Sequence, residues 1–216
     1  MNYVLPGMGA TSAMYAREWQ ALEGFLFLDW PSGFAGESIE DLARLLVSNH
    51  LLARDDLVIG SSFGGMVACE IANQRDMPGV VLIGSATHKE EVSKILSLLN
   101  PIIDLAPVGF VQRAAALVPG ELARMFRQSD PRFIRNMCRA IFKWGGVNDG
   151  RRVFRIHGAY DRIIPKPLSA DLVIDGGHLI AMTHASACIS AITNYQLERE
   201  SQSRVVSSDK RLRLNE

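Results

Sequence analysis

The chain has 216 residues, 48% of them hydrophobic and 21% charged, with 23 basic side chains against 23 acidic ones. This is the composition of a globular protein that buries about 70% of the surface its unfolded chain exposes, and one domain with room for an insertion is expected. The balanced charge offers no long-range field to gather nucleic acid or an anionic membrane, and no apolar run approaches the ~20 residues of a membrane helix.

The N-terminal "MNYVLPGMGA" lacks the basic and apolar regions of a secretory signal, so a soluble, cytoplasmic protein is expected. From there, short apolar runs rich in β-branched and aromatic residues recur, each ending at Gly, Pro, Asp or Ser. They are "YVL" (3–5), "FLFLD" (25–29), "LVIG" (57–60), "VVLIG" (80–84), "VFRIH" (153–157) and "LVID" (172–175). Segments of helical spacing lie between most of them; "SIED" at 38–41 is a capping pattern, followed by Leu42, Leu45, Leu46 and Leu51. Near-continuous apolar strands alternating with helices predict an α/β protein, a parallel sheet doubly wound with helices on both faces.

The alternation breaks once. Residues 87–149 carry no strand pattern, only helical segments punctuated by Pro101, Pro107, Pro119 and Pro131 and enriched in Leu96, Leu98, Leu99, Ile102, Ile103, Leu105 and Phe110. They are read as a helical insertion beside the sheet, either added core or a lid over a pocket. From Gln196 the chain turns polar and serine-rich, which predicts a frayed helix end and a disordered tail over 196–216, with Lys210, Arg211 and Arg213 as its basic cluster. Cys69, Cys138 and Cys188 are odd in number and sit among apolar neighbours, which fits buried thiols in a reducing compartment.

Where the third strand pattern becomes a helix, the chain reads "GSSFGG" (60–65). Gly60-Ser61-Ser62-Phe63-Gly64 fits G-x-S-x-G, a sharp strand-to-helix turn whose glycines relieve collisions and whose central residue, Ser62, is held exposed at the end of the sheet. A serine needs a base, usually an imidazole held by a carboxylate. Both appear at later strand ends: Asp161 in "HGAYDRIIP" and His178 in "GGHLIAM", giving the order Ser62, Asp161, His178.

These three segments, in this order, resemble the α/β-hydrolase superfamily, over residues 2 to about 195. The resemblance implies a nucleophile Ser62, a base His178 and an acid Asp161, with a helical cap over 87–149 of a single domain spanning 1–195. It also implies that "VLPGMGA" is the oxyanion loop, so that the backbone N–H groups of Met8 and Phe63 would hold a developing oxyanion, each for about 3 kcal/mol. Pro6 stands where the family commonly has histidine, so the loop must be supported differently. Because the chain opens on the strand that feeds this loop, a truncated, six-stranded, all-parallel sheet is expected. The sixteen residues between Asp161 and His178 leave room for little more than a turn around "KPLSAD"; Asp175 and Asp149 are the alternative acids.

The implied activity is that of a serine hydrolase acting on a small-molecule carboxylic ester or thioester through an acyl-serine. Non-hydrolytic members of the same fold (acyltransferase, lyase, haloperoxidase, inert scaffold) are the alternatives. No metal and no organic cofactor is implied, since no His/Cys/Asp cluster has ligand spacing. A rival pattern is Gly7-Met8-Gly9-Ala10-Thr11-Ser12, which imitates a dinucleotide-binding turn, with Asp29 placed for a ribose hydroxyl and serine in place of the third glycine. Each site residue also has a plain structural reading: Ser62 as a helix cap, Asp161 as a turn residue, His178 as a core or surface histidine. His157 is assigned to the strand end with no chemistry, and His50, His88, His184 and Trp144 have no argued catalytic role.

Overall fold

Residues 1–92 and 120–213 are described in a computed structural model, side chains of 121, 122 and 202–213 excepted. Six strands form one sheet: β1 (Asn2–Leu5), β2 (Phe25–Phe27), β3 (Leu57–Ser61), β4 (Gly79–Ile83), β5 (Arg152–Gly158) and β6 (Leu172–Ile174). All are parallel, in the order β2-β1-β3-β4-β5-β6. Every expected apolar run is therefore a strand. The central pair β3 and β4 is buried at every position, which is why it reads as unbroken hydrophobic sequence.

The helices are α1 (Ile39–His50), α2 (Phe63–Arg75), α3 (Glu121–Gln128), α4 (Pro131–Lys143), α5 (Ile180–Thr183) and α6 (Ala185–Arg213). They cover both faces, and the strand pleat sorts side chains between two cores. Tyr3, Leu5, Val58, Val80 and Leu82 face α1, α2 and α4, packing with Leu42, Leu46, Val67, Ile71 and Met137. Val4, Leu57, Ile59, Val81 and Ile83 point the other way, to Tyr15, Trp19, Cys188, Ile192 and Tyr195. Cys69, Cys138 and Cys188 are free thiols.

Helix α1 starts where the capping pattern places it: Ser38 Oγ accepts from the Asp41 N–H (3.0 Å) and donates to the Asp41 carboxylate (2.8 Å). Ser38→Ala is expected to cost about 1 kcal/mol, read as a lower midpoint in urea denaturation with an unchanged slope. The end of α1 differs from the sequence reading. Leu51 does not extend the apolar face; it is the C-cap, in the left-handed region (φ 51°), and is 84% exposed.

Between β4 and β5 the described residues contain no strand, only a short 3-10 turn at Lys89–Glu91 and helices α3 and α4. The apolar residues noted from Leu96 to Phe110, together with Pro101, Pro107 and Pro119, lie outside the described residues. The stretch between β5 and β6 contains turns and no helix, as its length requires. Helix α6 differs from expectation: it does not end near Gln196 but continues to Arg213. The stretch contains no Gly or Pro to stop propagation, and Arg152 reaches Glu198 (3.4 Å) across its base. Among the described residues no helix is long and apolar enough to cross a membrane.

Candidate active site

Strand β3 runs without a break into Ser62, whose backbone (φ 53°, ψ −124°) lies outside the regions a side chain prefers, and α2 begins at the next residue. The flanking glycines permit this turn. A methyl at Gly60 would overlap the Gly64 carbonyl, and one at Gly64 would overlap the Pro6 carbonyl. Two further bonds hold the elbow: the Ser62 N–H donates to the Ile83 carbonyl (3.0 Å), and Ser85 Oγ donates to the Ser62 carbonyl (2.6 Å). Ser61 is buried, and Ser62 makes no side-chain cap bond to α2, so the capping role does not describe its hydroxyl.

The Ser62 hydroxyl instead meets His178. His178 follows β6, and its Nε2 lies 2.8 Å from Ser62 Oγ; its Nδ1 lies 2.7 Å from Asp161 Oδ2, just past β5. Sequence positions far apart thus converge at the carboxyl end of the sheet, through three strand ends. The fallback acids Asp175 and Asp149 are exposed.

The environment of Asp161 sets the proton positions. Its Oδ1 accepts from the Ile163 and Ile164 N–H groups (2.9 and 3.0 Å). Burial by itself pushes the Asp161 pKa up, but the hydrogen bonds from His157 and His178, the charge of a protonated His178 and the Ile164 N–H outweigh it and hold the carboxyl well below the usual carboxylate range. An ionised Oδ2 only accepts, so His178 Nδ1 carries the proton and Nε2 presents its lone pair to the Ser62 hydroxyl.

His157 was missed by sequence reasoning as a contributor. It is fully buried, its Nε2 donates to the Ile164 carbonyl (2.7 Å), and the same nitrogen stands 3.4 Å from Asp161 Oδ2. It props the turn that carries Asp161. The available signal was a strand-ending His-Gly four residues before an aspartate. The remaining candidates stay outside the site: Trp144 is core, donating to Glu70 (3.2 Å), and His88 packs against Gly146, with Nδ1 3.2 Å from Thr87 Oγ1. His50 accepts from Tyr3 through its carbonyl (3.2 Å), and His184 pairs with Thr183 (2.8 Å).

The loop after β1 packs against the first turn of α2, as the Gly64 contact with Pro6 shows. Among the described residues, neither the Met8 nor the Phe63 N–H has a protein acceptor. The support that histidine would give in the loop comes from elsewhere: Tyr15 donates to the Leu5 carbonyl (2.7 Å), and Trp30 Nε1 and the Ala10 N–H both donate to the Gly7 carbonyl (3.1 Å each). Asp29, the ribose acceptor of the dinucleotide reading, is taken by the Ser12 N–H at 2.6 Å.

Above Ser62 lies a cavity of about 760 Å³, within the range of small-molecule sites. Its lining includes Met8, Phe63 and Met66, Phe126 of α3, Ile134, Cys138, Ile141 and Phe142 of α4, and His178. Burial pushes the Cys138 thiol up to about 11, so it remains a thiol, with Sγ 3.5 Å from Met8 Sδ.

Solved structures share this fold over nearly the whole chain. An enol-lactonase from Burkholderia xenovorans matches with a TM-score of 0.71 at 16% identity, covering 91% of each chain. Carboxylesterases of Nitrososphaera gargenis are represented by a structure with a TM-score of 0.69 at 15% identity, covering 93% of this chain and 91% of that one. A thermophilic esterase from Thermogutta terrifontis matches with a TM-score of 0.66 at 16% identity, covering 91% and 89%. No curated protein sequence matches significantly. The sequence profile of the alpha/beta hydrolase family spans residues 3–191, and with the elbow, the sheet order and the strand-end aspartate and histidine in place, the chain belongs to that family.

Proposed function

We propose that the protein is a serine hydrolase that cleaves carboxylic esters or thioesters through an acyl-Ser62 intermediate. The observation that carries this reading is the continuous hydrogen-bond chain from Ser62 Oγ through His178 to Asp161, 2.8 and 2.7 Å, anchored on a serine in a strained backbone conformation. Ser62 Oγ attacks the carbonyl carbon as its proton passes to His178 Nε2. The oxyanion forms toward the Met8 N–H of the loop after β1 and the Phe63 N–H at the start of α2, where the helix dipole favours negative charge. His178 then gives its proton to the departing alcohol or thiol. Water repeats the sequence on the acyl-serine and frees the acid. In this reading α3 and α4 belong to a cap over the site. The ester-bond chemistry named for the similar structures supports the class of reaction, and the apolar cavity suits an acyl group.

Fluorophosphonate labelling followed by peptide mass spectrometry tests the mechanism. Stoichiometric modification at Ser62, lost in His178→Ala with the fold intact, is the expected result. A well-folded wild-type protein that takes no label at Ser62 would mean that the serine is not activated.

A further inference from the structure

The helices that wall the cavity also rest on the oxyanion loop. The Phe126 ring on α3 covers Gly9, which has φ +71° and no space for a side chain, since a Cβ there would lie about 2.5 Å from the ring. The preceding residue continues the contact: Met125 Sδ accepts from the Thr11 N–H (3.5 Å) and hydroxyl (3.2 Å). From α4, Cys138 touches Met8. Loop positions 8, 9 and 11 are therefore held from above by two helices, two of whose side chains, Phe126 and Cys138, line the cavity. Among the described residues lining it there is no Asp, Glu, Lys or Arg.

We infer that Phe126 is a positioning residue that couples filling of the acyl pocket to the oxyanion loop, and that the substrate class is an uncharged aliphatic acyl ester or thioester long enough to reach it. This rests on the serine-hydrolase reading above. A chain occupying the cavity packs against the Phe126 ring, which lines it and whose Cδ2–Cε2 edge lies against Gly9, next to the Met8 N–H. Contacts that steady this donor act on the tetrahedral state, so acyl length is read in kcat as well as in KM. A chain ending in a carboxylate enters the same cavity with no cation among its described lining residues, and its desolvation opposes binding.

The test is steady-state hydrolysis of p-nitrophenyl esters from acetyl to decanoyl by wild type, Phe126→Ala and Phe126→Leu, with thermal melting as the control for folding. In wild type, kcat/KM should rise about three- to fourfold per added methylene until the cavity is filled, with part of the rise in kcat. Phe126→Ala should flatten kcat against chain length and lower kcat for the octanoyl ester about tenfold, while Ile134 and Ile141 preserve much of the KM trend. Phe126→Leu, which keeps an apolar cover over Gly9, should restore most of the kcat slope. A dicarboxylic monoester of matched length should react at least about tenfold more slowly than its uncharged counterpart. A kcat slope that Phe126→Ala leaves unaltered, or a wild-type kcat independent of chain length, overturns the coupling. Fluorophosphonate labelling separates the two readings: labelled Ser62 with an unaltered slope removes only this inference, and unlabelled Ser62 removes both.

Discussion

Asp161→Asn is expected to lower kcat about ten-thousandfold with little change in KM, and the structure dictates how. Asp161 Oδ1 is fixed by the N–H groups of Ile163 and Ile164, which require an acceptor. An asparagine therefore keeps its carbonyl oxygen there and turns its NH₂ toward the Oδ2 position. That position faces His178 Nδ1 at 2.7 Å. An amide donor makes Nδ1 the acceptor and moves the imidazole proton to Nε2, so Nε2 no longer accepts from the Ser62 hydroxyl. Binding surfaces are untouched, so the loss falls on kcat.

The same NH₂ stands near His157 Nε2, whose hydrogen lies between the Ile164 carbonyl and, in the wild type, the Asp161 carboxylate. Two donors then face each other in a buried turn, at a cost of about 1–3 kcal/mol in urea denaturation. The pH dependence changes as well. The Asp161 pKa is depressed in the folded protein, so its stabilisation is fully present above the unfolded value near 3.8 and is lost as pH falls through the lower folded value. The variant lacks that ionisation, and its stability should fall less steeply on acidification below about pH 4. A variant within tenfold of wild-type kcat would show that Asp161 does not set the His178 tautomer.

Why so much of this site was legible lies in where its residues sit. A parallel strand buried on both faces leaves an unbroken apolar run, and an elbow must be written in glycine because Gly60 and Gly64 touch neighbouring backbone. Ser62, Asp161 and His178 each follow such a run, so strand ends alone aligned them. Packing between distant segments leaves no such local trace. Nothing in the sequence near His157 says that its ring returns to the turn bearing Asp161, and nothing near Gly7 names Trp30 as its partner. Leu51 keeps the helical spacing, but as the C-cap it turns into the left-handed region while its N–H still bonds the Val47 carbonyl, so backbone geometry overrides pattern. In sequence Arg155 is one residue of the strand "VFRIH", and its partner, Glu91, stands 64 residues earlier.

That pair carries the largest expected loss of stability. Arg155 is 4% exposed on β5, and its guanidinium grips both oxygens of Glu91: Nη1 to Oε1 at 2.8 Å, Nη2 to Oε2 at 2.7 Å. Nη2 also donates to the Ser85 carbonyl (3.2 Å) and Nη1 to Ser169 Oγ (3.2 Å), while Glu91 accepts from the N–H and hydroxyl of Thr87 (2.8 and 3.1 Å). Glu91→Ala strands a buried cation and should destabilise the protein by about 3–5 kcal/mol. Arg155→Met should cost less, because the Glu91 side chain is 27% exposed and can hydrate. The double variant Glu91→Leu with Arg155→Met should recover much of the loss, since two apolar side chains need no partner. Burial raises the Glu91 pKa, but the Arg155 hydrogen bonds and the Thr87 N–H outweigh it and leave it below the ordinary 4.5. This stabilisation is therefore present above that value and fades as pH falls through the lower folded one, a dependence that Glu91→Ala should lack and that Arg155→Met should alter, since only the Thr87 bonds then remain on the carboxylate. Because Ser85 also donates to the Ser62 carbonyl (2.6 Å), the rate of fluorophosphonate labelling in folded Glu91→Ala reads whether the elbow loosens with the pair. Glu91→Ala within about 1 kcal/mol of wild type in urea would mean that water reaches the Arg155 guanidinium and that the pair does not anchor the turn after β4.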